Sequence, residues 1–455
     1  MDALKVKDAS SARRIIEQRN LSHIKVGVFD IDGILRGKYM SKDKFFSALD
    51  HGFGFCDVVL GWDSNDQLYD NSNYTGWHTG YPDANVRIIP SSCREIPFEQ
   101  GMLFFLAEFT DKAEEICPRA LLRRVCQKAI DSGYEVFSGF EYEFFVFNET
   151  PQTIQDKNFT NLQPITPGDF GYSVIRNTVE SDVYHSILNL SEVMDFPIEG
   201  LHEETGPGVL EAALVYSGAE KSADRAALFK TFTKILLQKQ QKMATFMAKW
   251  SAKYPGQSGH IHLSLKNPKG ESIFFDPNKA HGVSNDMSYF VAGCQQCLPE
   301  LLAMVAPTIN SYKRLVPDLW APTHASVGID NRTCAIRIIP GTEKSQRMEY
   351  RIGAADANPY IILAAVIASG LWGIENKANI EAIVSGNAYD ANLPEKLKLH
   401  DTLWHATQAL RQSEMAKNWF GEAFVNHYAA SREWEVREFN KHVSQWELER
   451  YFEII

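Results

Sequence analysis

No stretch of this 455-residue sequence reaches the ~20 consecutive apolar residues that a membrane-spanning helix needs. The longest, Tyr360 to Ile374, contains Ser369 and Gly370 and reads as a buried helix. Runs of Lys and Arg are also missing, and the formal net charge is -11. Nucleic acid therefore finds no electrostatic footprint, and an anionic substrate would need a local cluster of positive residues. The segment Met1 to Arg19 is of mixed charge and lacks the apolar core of a signal peptide. Cysteines number only seven, odd and scattered, which argues against a disulfide framework and for a reducing, cytoplasmic setting. Cys294 and Cys297 form a C-x-x-C, but they fall in Tyr289 to Val305, which has helical apolar spacing and no second Cys or His pair nearby. Zinc or redox chemistry is thus disfavoured. No repeat of 20–50 residues is visible, which excludes a solenoid.

What remains is an ordinary globular balance, 44% hydrophobic and 23% charged, with the length of two or three domains. From Lys25 to about Phe109 short strands alternate with turn clusters: Lys25 to Ile31, Gly33 to Tyr39, Val86 to Ile89 and Met102 to Glu108. After Pro118 a helical face begins with Leu121, Leu122, Val125, Cys126 and Ala129. The reading is a β-rich N-terminal domain over residues 1–111 and a larger helix-and-strand domain over 112–455. Long helices are predicted at Ala219 to Lys249, Ser288 to Val305 and Pro359 to Glu375, with a helical tail after Leu397. Thr150 to Asp169, rich in Asn, Gln, Thr and Pro, reads as a surface insertion.

Three strand-like segments place ionisable residues two apart, which points them to one face of a pleated strand, and a fourth offers one arginine between aliphatics. Glu141 and Glu143 alternate with Phe140, Tyr142 and Phe144. His260, His262 and Ser264 alternate with aliphatics, Arg347, Glu349 and Arg351 follow the same rule, and Arg337 sits between two isoleucines. Any one such segment is commonly an edge strand with its polar side in water. Together their residue types are His, Arg and Glu, which ligate metals and bind carboxylate and phosphate.

The stretch His202 to Glu211 adds Glu204 and Glu211 around Gly206-Pro207-Gly208, whose glycines permit a tight turn that aims both carboxylates at one point. Carboxylates so gathered repel one another unless cations sit among them. Hard oxygen ligands with one or two imidazoles suit Mg²⁺ or Mn²⁺. Metals and arginines together are what phosphoryl transfer requires, since its catalysis is mostly charge neutralisation and alignment.

In this order the segments resemble the glutamine synthetase family, type I, over nearly the whole chain. The motifs are Glu141-x-Glu143, the Glu204 to Glu211 stretch, Gly256-x-x-x-His260-x-His262-x-Ser264, Asn310 to Pro317, Asp330-Asn331-Arg332, and Arg347-x-Glu349-x-Arg351 running into Ala357-Asn358-Pro359-Tyr360. The resemblance implies an α+β fold: a small N-terminal β-grasp domain plus a large catalytic α/β domain whose antiparallel sheet forms a half-barrel active site. It implies one metal on Glu143, Glu204 and Glu211 and a second on Glu141, His260 and Glu349. Arg314 and Arg351 would clamp the α-carboxylate of glutamate, with the Gly256 backbone near its amino group. Arg332 would stabilise the transferring phosphoryl group, while His262, Ser264, Arg337 and Arg347 would serve ATP. The implied reaction phosphorylates the γ-carboxylate of glutamate and lets an amine displace the phosphate, in a homo-oligomer of stacked rings, a dodecamer, with active sites between subunits.

The sequence also departs from the family pattern. Ammonia-using members carry a glutamate in the proline-flanked loop after Arg314, where this chain has Pro317-Asp318-Leu319-Trp320-Ala321-Pro322. Trp320 stands in its place. Tryptophan accepts no proton from ammonium, but its indole attracts an alkylammonium and covers a larger amine. Pro255 replaces an asparagine common in ammonia users. The family's cross-subunit aspartate matches Asp63, with Asp66 a competitor. Trp62 and Trp77 could border the amine pocket or a subunit contact. These departures point to a γ-glutamyl-amine ligase resembling the γ-glutamylpolyamine synthetase branch. The alternatives are an ammonia-using glutamine synthetase and a catalytically silent structural relative. Asp30-Ile31-Asp32-Gly33 looks like a phosphatase signature but fits a hairpin turn with two solvated aspartates.

Overall fold

A computed structural model describes residues 2–455. Its first sheet contains β1 (His23–Phe29), β2 (Leu35–Ser41), β3 (Phe53–Cys56), β4 (Asp83–Ile88), β5 (Arg94–Glu95) and β6 (Leu103–Phe109). The order is β2-β1-β6-β4-β3, with β5 beside β6. Only the β1–β6 pair is parallel. Every residue of β6 is buried, because both faces of this central strand are covered. Leu103, Phe105, Ala107 and Phe109 pack with the Ala9–Gln18 and Lys42–His51 helices. Phe104 and Leu106 belong to the core of the larger region, where Phe104 meets Phe232 edge-on, 5.9 Å between centroids.

The second sheet is built from β7 (Glu135–Phe147), β8 (Ile198–Glu203), β9 (Val209–Leu214), β10 (Ser217–Gly218), β11 (Met243–Thr245), β12 (Gly259–Lys266), β13 (Val327–Ile329), β14 (Ile336–Ile339) and β15 (Arg347–Tyr350). Its order is β13-β14-β15-β12-β7-β9-β8, and β7 also pairs with β10 and β11. This is the half-barrel of a mixed α and β fold, antiparallel except where β13 runs parallel to β14. Phe140, Tyr142 and Phe144 bury one face of β7 against Phe229 and Phe246, which leaves Glu141 and Glu143 on the other. The apolar run near residue 360 is the Pro359–Glu375 helix, buried almost throughout. No helix among the described residues is long and apolar enough to cross a membrane.

Three expectations need correction. The helix beginning at Ala219 ends at Lys239, not Lys249. Gln241 adopts φ 57° and the Lys242 N–H bonds the Leu237 carbonyl at 2.8 Å, a left-handed helix stop made without glycine. The chain then enters β11. The Thr150–Asp169 insertion is not wholly superficial, since Ile154, Ile165 and Thr166 are buried. Thr166 accepts the Gly208 N–H at 3.1 Å and donates to Glu203, propping the turn between β8 and β9. The two aspartates of Asp30-x-Asp32-Gly33 are tied up rather than solvated. Asp30 accepts from the N–H groups of Asp32 and Ile34 and from Arg36, while Asp32 pairs with buried Arg432 at 2.5 Å.

The Asn285–Val305 and Pro359–Glu375 helices touch through glycines. A Cβ on Gly293 would lie 2.1 Å from the Ser369 carbonyl oxygen and 2.7 Å from Gly373 Cα. Gly to Ala inside a helix ordinarily stabilises by about 1 kcal/mol. Here Gly293→Ala is expected to lower stability by about 1–3 kcal/mol or more, because the backbones must separate. A urea unfolding midpoint equal to or above that of the wild type would refute this account of the crossing.

Candidate active site

Strand register turns the polar residues of separate segments into rows. Glu141 pairs with His260, His262 with Glu349, Arg337 with Glu349, and Glu143 with Glu211. Residues directly opposite in a sheet share a face, so the strands deliver one surface of carboxylates, imidazoles and guanidiniums. It lines a cleft of about 500 Å³.

Two groups in this cleft have cation-binding geometry. The ligand atoms of Glu141, His260 and Glu349 all lie within 4.8 Å of one another, as do those of His202, Glu204 and Glu211. His260 Nδ1 is 3.2 Å from Glu141 and 3.4 Å from Glu349. His202 Nε2 is 3.0 Å from Glu204 and 3.5 Å from Glu211. Glu143 lies beside Glu211 in the register, but its Oε2 accepts the Ser258 N–H at 2.6 Å. Glu143 thus reaches the cleft, while His202 completes the second close group. Its sequence signal was the spacing of two from Glu204. The donors, oxygen-rich with one imidazole each, fit a hard divalent ion.

The electrostatics follow from crowding. Burial, and then repulsion from Glu141, Glu143 and Glu204, raises Glu211 far above the usual carboxylate range. Burial also disfavours charge on Glu349, but His260, Arg351 and His262 outweigh it and bring its pKa down to about 2. Around these acids stand arginines. Arg337 donates to Glu349 and Asp330, each at 3.0 Å. Arg351 pairs with Glu349 and donates to the Arg332 carbonyl at 3.1 Å. Arg347 donates to His262 at 3.2 Å. Arg314 is buried and gives two N–H groups to the carbonyls of Ile352 and Arg351, at 2.9 and 3.1 Å, and burial pulls its pKa down to about 10. Gly256 makes room for it: a Cβ there would stand 2.5 Å from Arg314 Cγ.

Of the sequence-derived residues, Glu141, Glu143, Glu204, Glu211, Gly256, His260, His262, Arg314, Trp320, Arg332, Arg337, Arg347, Glu349 and Arg351 line this one cleft. Ser264 and Asp63 do not. Ser264 lies farther along β12, opposite Phe137. Asp63 borders a separate cavity of about 570 Å³ with Lys313 and Glu435, and its carboxylate accepts the N–H groups of Asn65 and Gln67 at 2.9 and 2.7 Å. Asp66 pairs with Arg36. Trp62 packs on the Arg36 guanidinium, and Trp77 is exposed near Tyr81. Sequence reasoning missed Tyr172, whose ring stacks on His202 at 4.4 Å with planes 10° apart. Nothing in its surroundings, Phe170-Gly171-Tyr172-Ser173-Val174, announced that contact.

Two carboxylate–imidazole groups facing a bank of arginines on a half-barrel define a class: a cleft for cation-assisted chemistry on phosphates and carboxylates. The family described as "Glutamine synthetase, catalytic domain" matches residues 115–451. Type-1 glutamine synthetase 2 of Dictyostelium discoideum is 46% identical over 440 residues, covering 95% of this chain and 84% of that protein. Glutamate–isopropylamine ligase of a Pseudomonas species is 35% identical over 456 residues, covering 99% of both. Among solved structures, the GmaS/ADP complex superimposes with a TM-score of 0.84 at 24% identity, over 97% of this chain and 99% of that one, a likeness of fold. The chain belongs to the glutamine synthetase family, whose members are ATP-dependent carbon–nitrogen ligases that use divalent metals.

Because burial and then the neighbouring acids push Glu211 toward its neutral form, Glu211→Gln should leave the stability of the metal-free protein at pH 7 within about 0.5 kcal/mol of wild type, the range of a neutral substitution. The same change should remove much of the stabilisation gained with saturating Mn²⁺, which is about 2.7 kcal/mol at a hundredfold excess over Kd. Thermal unfolding with and without Mn²⁺ checks both halves, and an undiminished metal increment would remove Glu211 from the ligand set.

Proposed function

We propose that the protein joins the γ-carboxylate of glutamate to an organic amine, at the expense of ATP, through a γ-glutamyl phosphate. The observation that carries the choice of amine is Trp320, which lines the cleft with Leu319 where ammonia-using members carry a proton-accepting glutamate. An indole has no acceptor for an ammonium proton, whereas its face is attractive to an alkylammonium by ~0.5–2 kcal/mol. Whole-length similarity to an isopropylamine ligase supports the same reading.

In this reading Glu141, His260 and Glu349 hold one Mg²⁺ or Mn²⁺, and Glu204 and Glu211 hold another with His202 or Glu143. The cations neutralise the phosphate oxygens. Arg314 and Arg351 bind the glutamate α-carboxylate beside the Gly256 backbone; His262, Arg337 and Arg347 bind the nucleotide, with Ser264 a more distant member. Arg332 faces the phosphoryl group as it passes to the γ-carboxylate, and the amine then displaces phosphate to leave an amide. Residues 1–111 form the N-terminal unit of a cytoplasmic ring assembly, in which Asp63 serves the cleft of a neighbouring copy. The half-buried Asp63 borders a cavity separate from this chain's own cleft, which fits service to another copy, and the seven free thiols fit a reducing compartment. The 46% identical relative is called a glutamine synthetase, which favours ammonia as the second reading. A silent structural role is disfavoured by the intact carboxylate and arginine rows.

The test is product mass and phosphate release with Mg²⁺, ATP, glutamate and a panel of ammonium, ethylamine, ethanolamine, putrescine and spermidine. A γ-glutamyl amide from an organic amine, with little glutamine, is expected; glutamine as the main product would overturn the amine assignment. Arg332→Ala is expected to lower kcat by about 10²–10³, the usual cost of losing a donor aimed at developing charge. Trp320→Glu should raise kcat/KM for ammonium at least about tenfold by restoring a general base.

A further inference from the structure

Two aromatic rings at the cleft mouth are held at a cost. Tyr172 and Trp320 both line the cleft, yet they remain 69% and 60% exposed. Exposed aromatic surface of this size forgoes the burial that normally stabilises such residues. Both also sit on left-handed backbone, φ 57° for Tyr172 and 60° for Trp320, a conformation that costs a bulky L-residue roughly 1–2 kcal/mol. Strain of this kind persists where the surroundings over-determine it, and it gathers at ligand clamps. The surroundings here do so. The Tyr172 N–H bonds the Glu203 carbonyl at 2.6 Å and its ring lies on His202. Trp320 is followed by buried Ala321, whose carbonyl accepts the Tyr389 hydroxyl at 3.0 Å.

On the reading above, the acids of the cleft belong to its two cation-binding groups. Glu141 and Glu349 pair with His260, Glu204 and Glu211 with His202, and Glu143 accepts the Ser258 N–H. A second ammonium on the acceptor would meet these engaged acids only by displacing their partners. An apolar group would meet Tyr172, Leu319 and Trp320.

We infer that Tyr172 and Trp320 are the two jaws of a specificity clamp, and that the acceptor is a monoamine with an apolar or aromatic substituent rather than a diamine or polyamine. The inference rests on the amine-ligase reading above. The clamp sets which amine is held; the chemistry of the γ-carboxylate is untouched by it.

The experiment measures kcat/KM for ammonium, methylamine, ethylamine, propylamine, butylamine, benzylamine and putrescine with the full-length enzyme. Each added methylene should raise kcat/KM about three- to fourfold until the rings are spanned. Butylamine should exceed putrescine, which differs only by a terminal ammonium, at least about tenfold. Tyr172→Ala and Trp320→Ala should flatten the methylene slope, and Tyr172→Phe should keep it. Retention by each variant of the Mn²⁺-dependent rise in melting midpoint separates loss of the clamp from misfolding. Putrescine equal to or better than butylamine, or an unchanged slope in both alanine variants, would overturn the clamp while leaving the amine ligase standing. Turnover confined to ammonium would instead sink the amine reading, and the clamp with it.

Discussion

Mutual repulsion among five buried or half-buried carboxylates on one face of a sheet is the constraint around which this fold is organised. Glu141, Glu143, Glu204, Glu211 and Glu349 share a single cleft, and acids so close cannot all ionise without positive charge between them. Different neighbours resolve the conflict differently. His260, His262 and Arg351 hold Glu349 ionised, whereas Glu211, with three acids against it, is forced toward the neutral form. That division makes one part of the cleft pre-neutralised by the protein's own cations and leaves the other with unsatisfied demand for an external one. A divalent ion entering there is met by oxygen ligands whose repulsion it relieves, so the energy stored in the empty cluster becomes affinity.

Such an arrangement requires strands rather than loops, since the acids must not relax apart. Register supplies the rigidity. β7 is long enough to pair with β9, β10, β11 and β12, and its far face is locked by stacked aromatic rings. A slip of one residue would turn Glu141 and Glu143 into the Phe229 and Phe246 cluster, at prohibitive desolvation cost. The same apolar residues that make the core therefore also aim the catalytic face. The N-terminal region is fastened to this scaffold at the Asp30–Gly33 turn. Asn358, at the head of the Pro359–Glu375 helix, donates to the carbonyls of Asp30 and Ile31, and Arg432 reaches Asp32 from the C-terminal helices.

The period of two made the strand rows legible in the sequence, because alternation of His, Glu or Arg with aliphatics survives in any context. Helix positions were legible for the same reason of periodicity, and the buried run at Tyr360 was recognisable by length. What escaped reading depended on tertiary contact. The stop at Lys239 uses Gln241 in a left-handed conformation where glycine would have signalled it. Thr166 looked like part of a polar insertion, yet its hydroxyl braces the carboxylate turn. Tyr172 is brought to His202 by the short segment after the Thr150–Asp169 insertion, which carries no periodic signal. The aspartates of the apparent phosphatase motif became structural only because Arg36 and Arg432 arrive from 6 and 400 residues away.

Strands and loops thus divide the chemistry. Glu141, Glu143, His260, His262, Arg337, Arg347 and Glu349 lie on strands, where any displacement would cost alignment. Tyr172 and Trp320, the residues proposed to meet the acceptor, come from connecting segments. Changing them alters what is covered and attracted at the mouth without moving Glu141, His260 or Glu349. Loops on a rigid frame are where specificity changes at least cost to the fold. On the proposed reading, an indole in place of a proton-accepting side chain is a change of this kind: it would remove deprotonation of a small cation and supply a surface for an organic group. Because Trp320 is held in a strained conformation next to a buried alanine, the indole is presented to the cleft rather than folded away, and the arrangement makes physical sense when a ligand completes the packing that the protein alone leaves open.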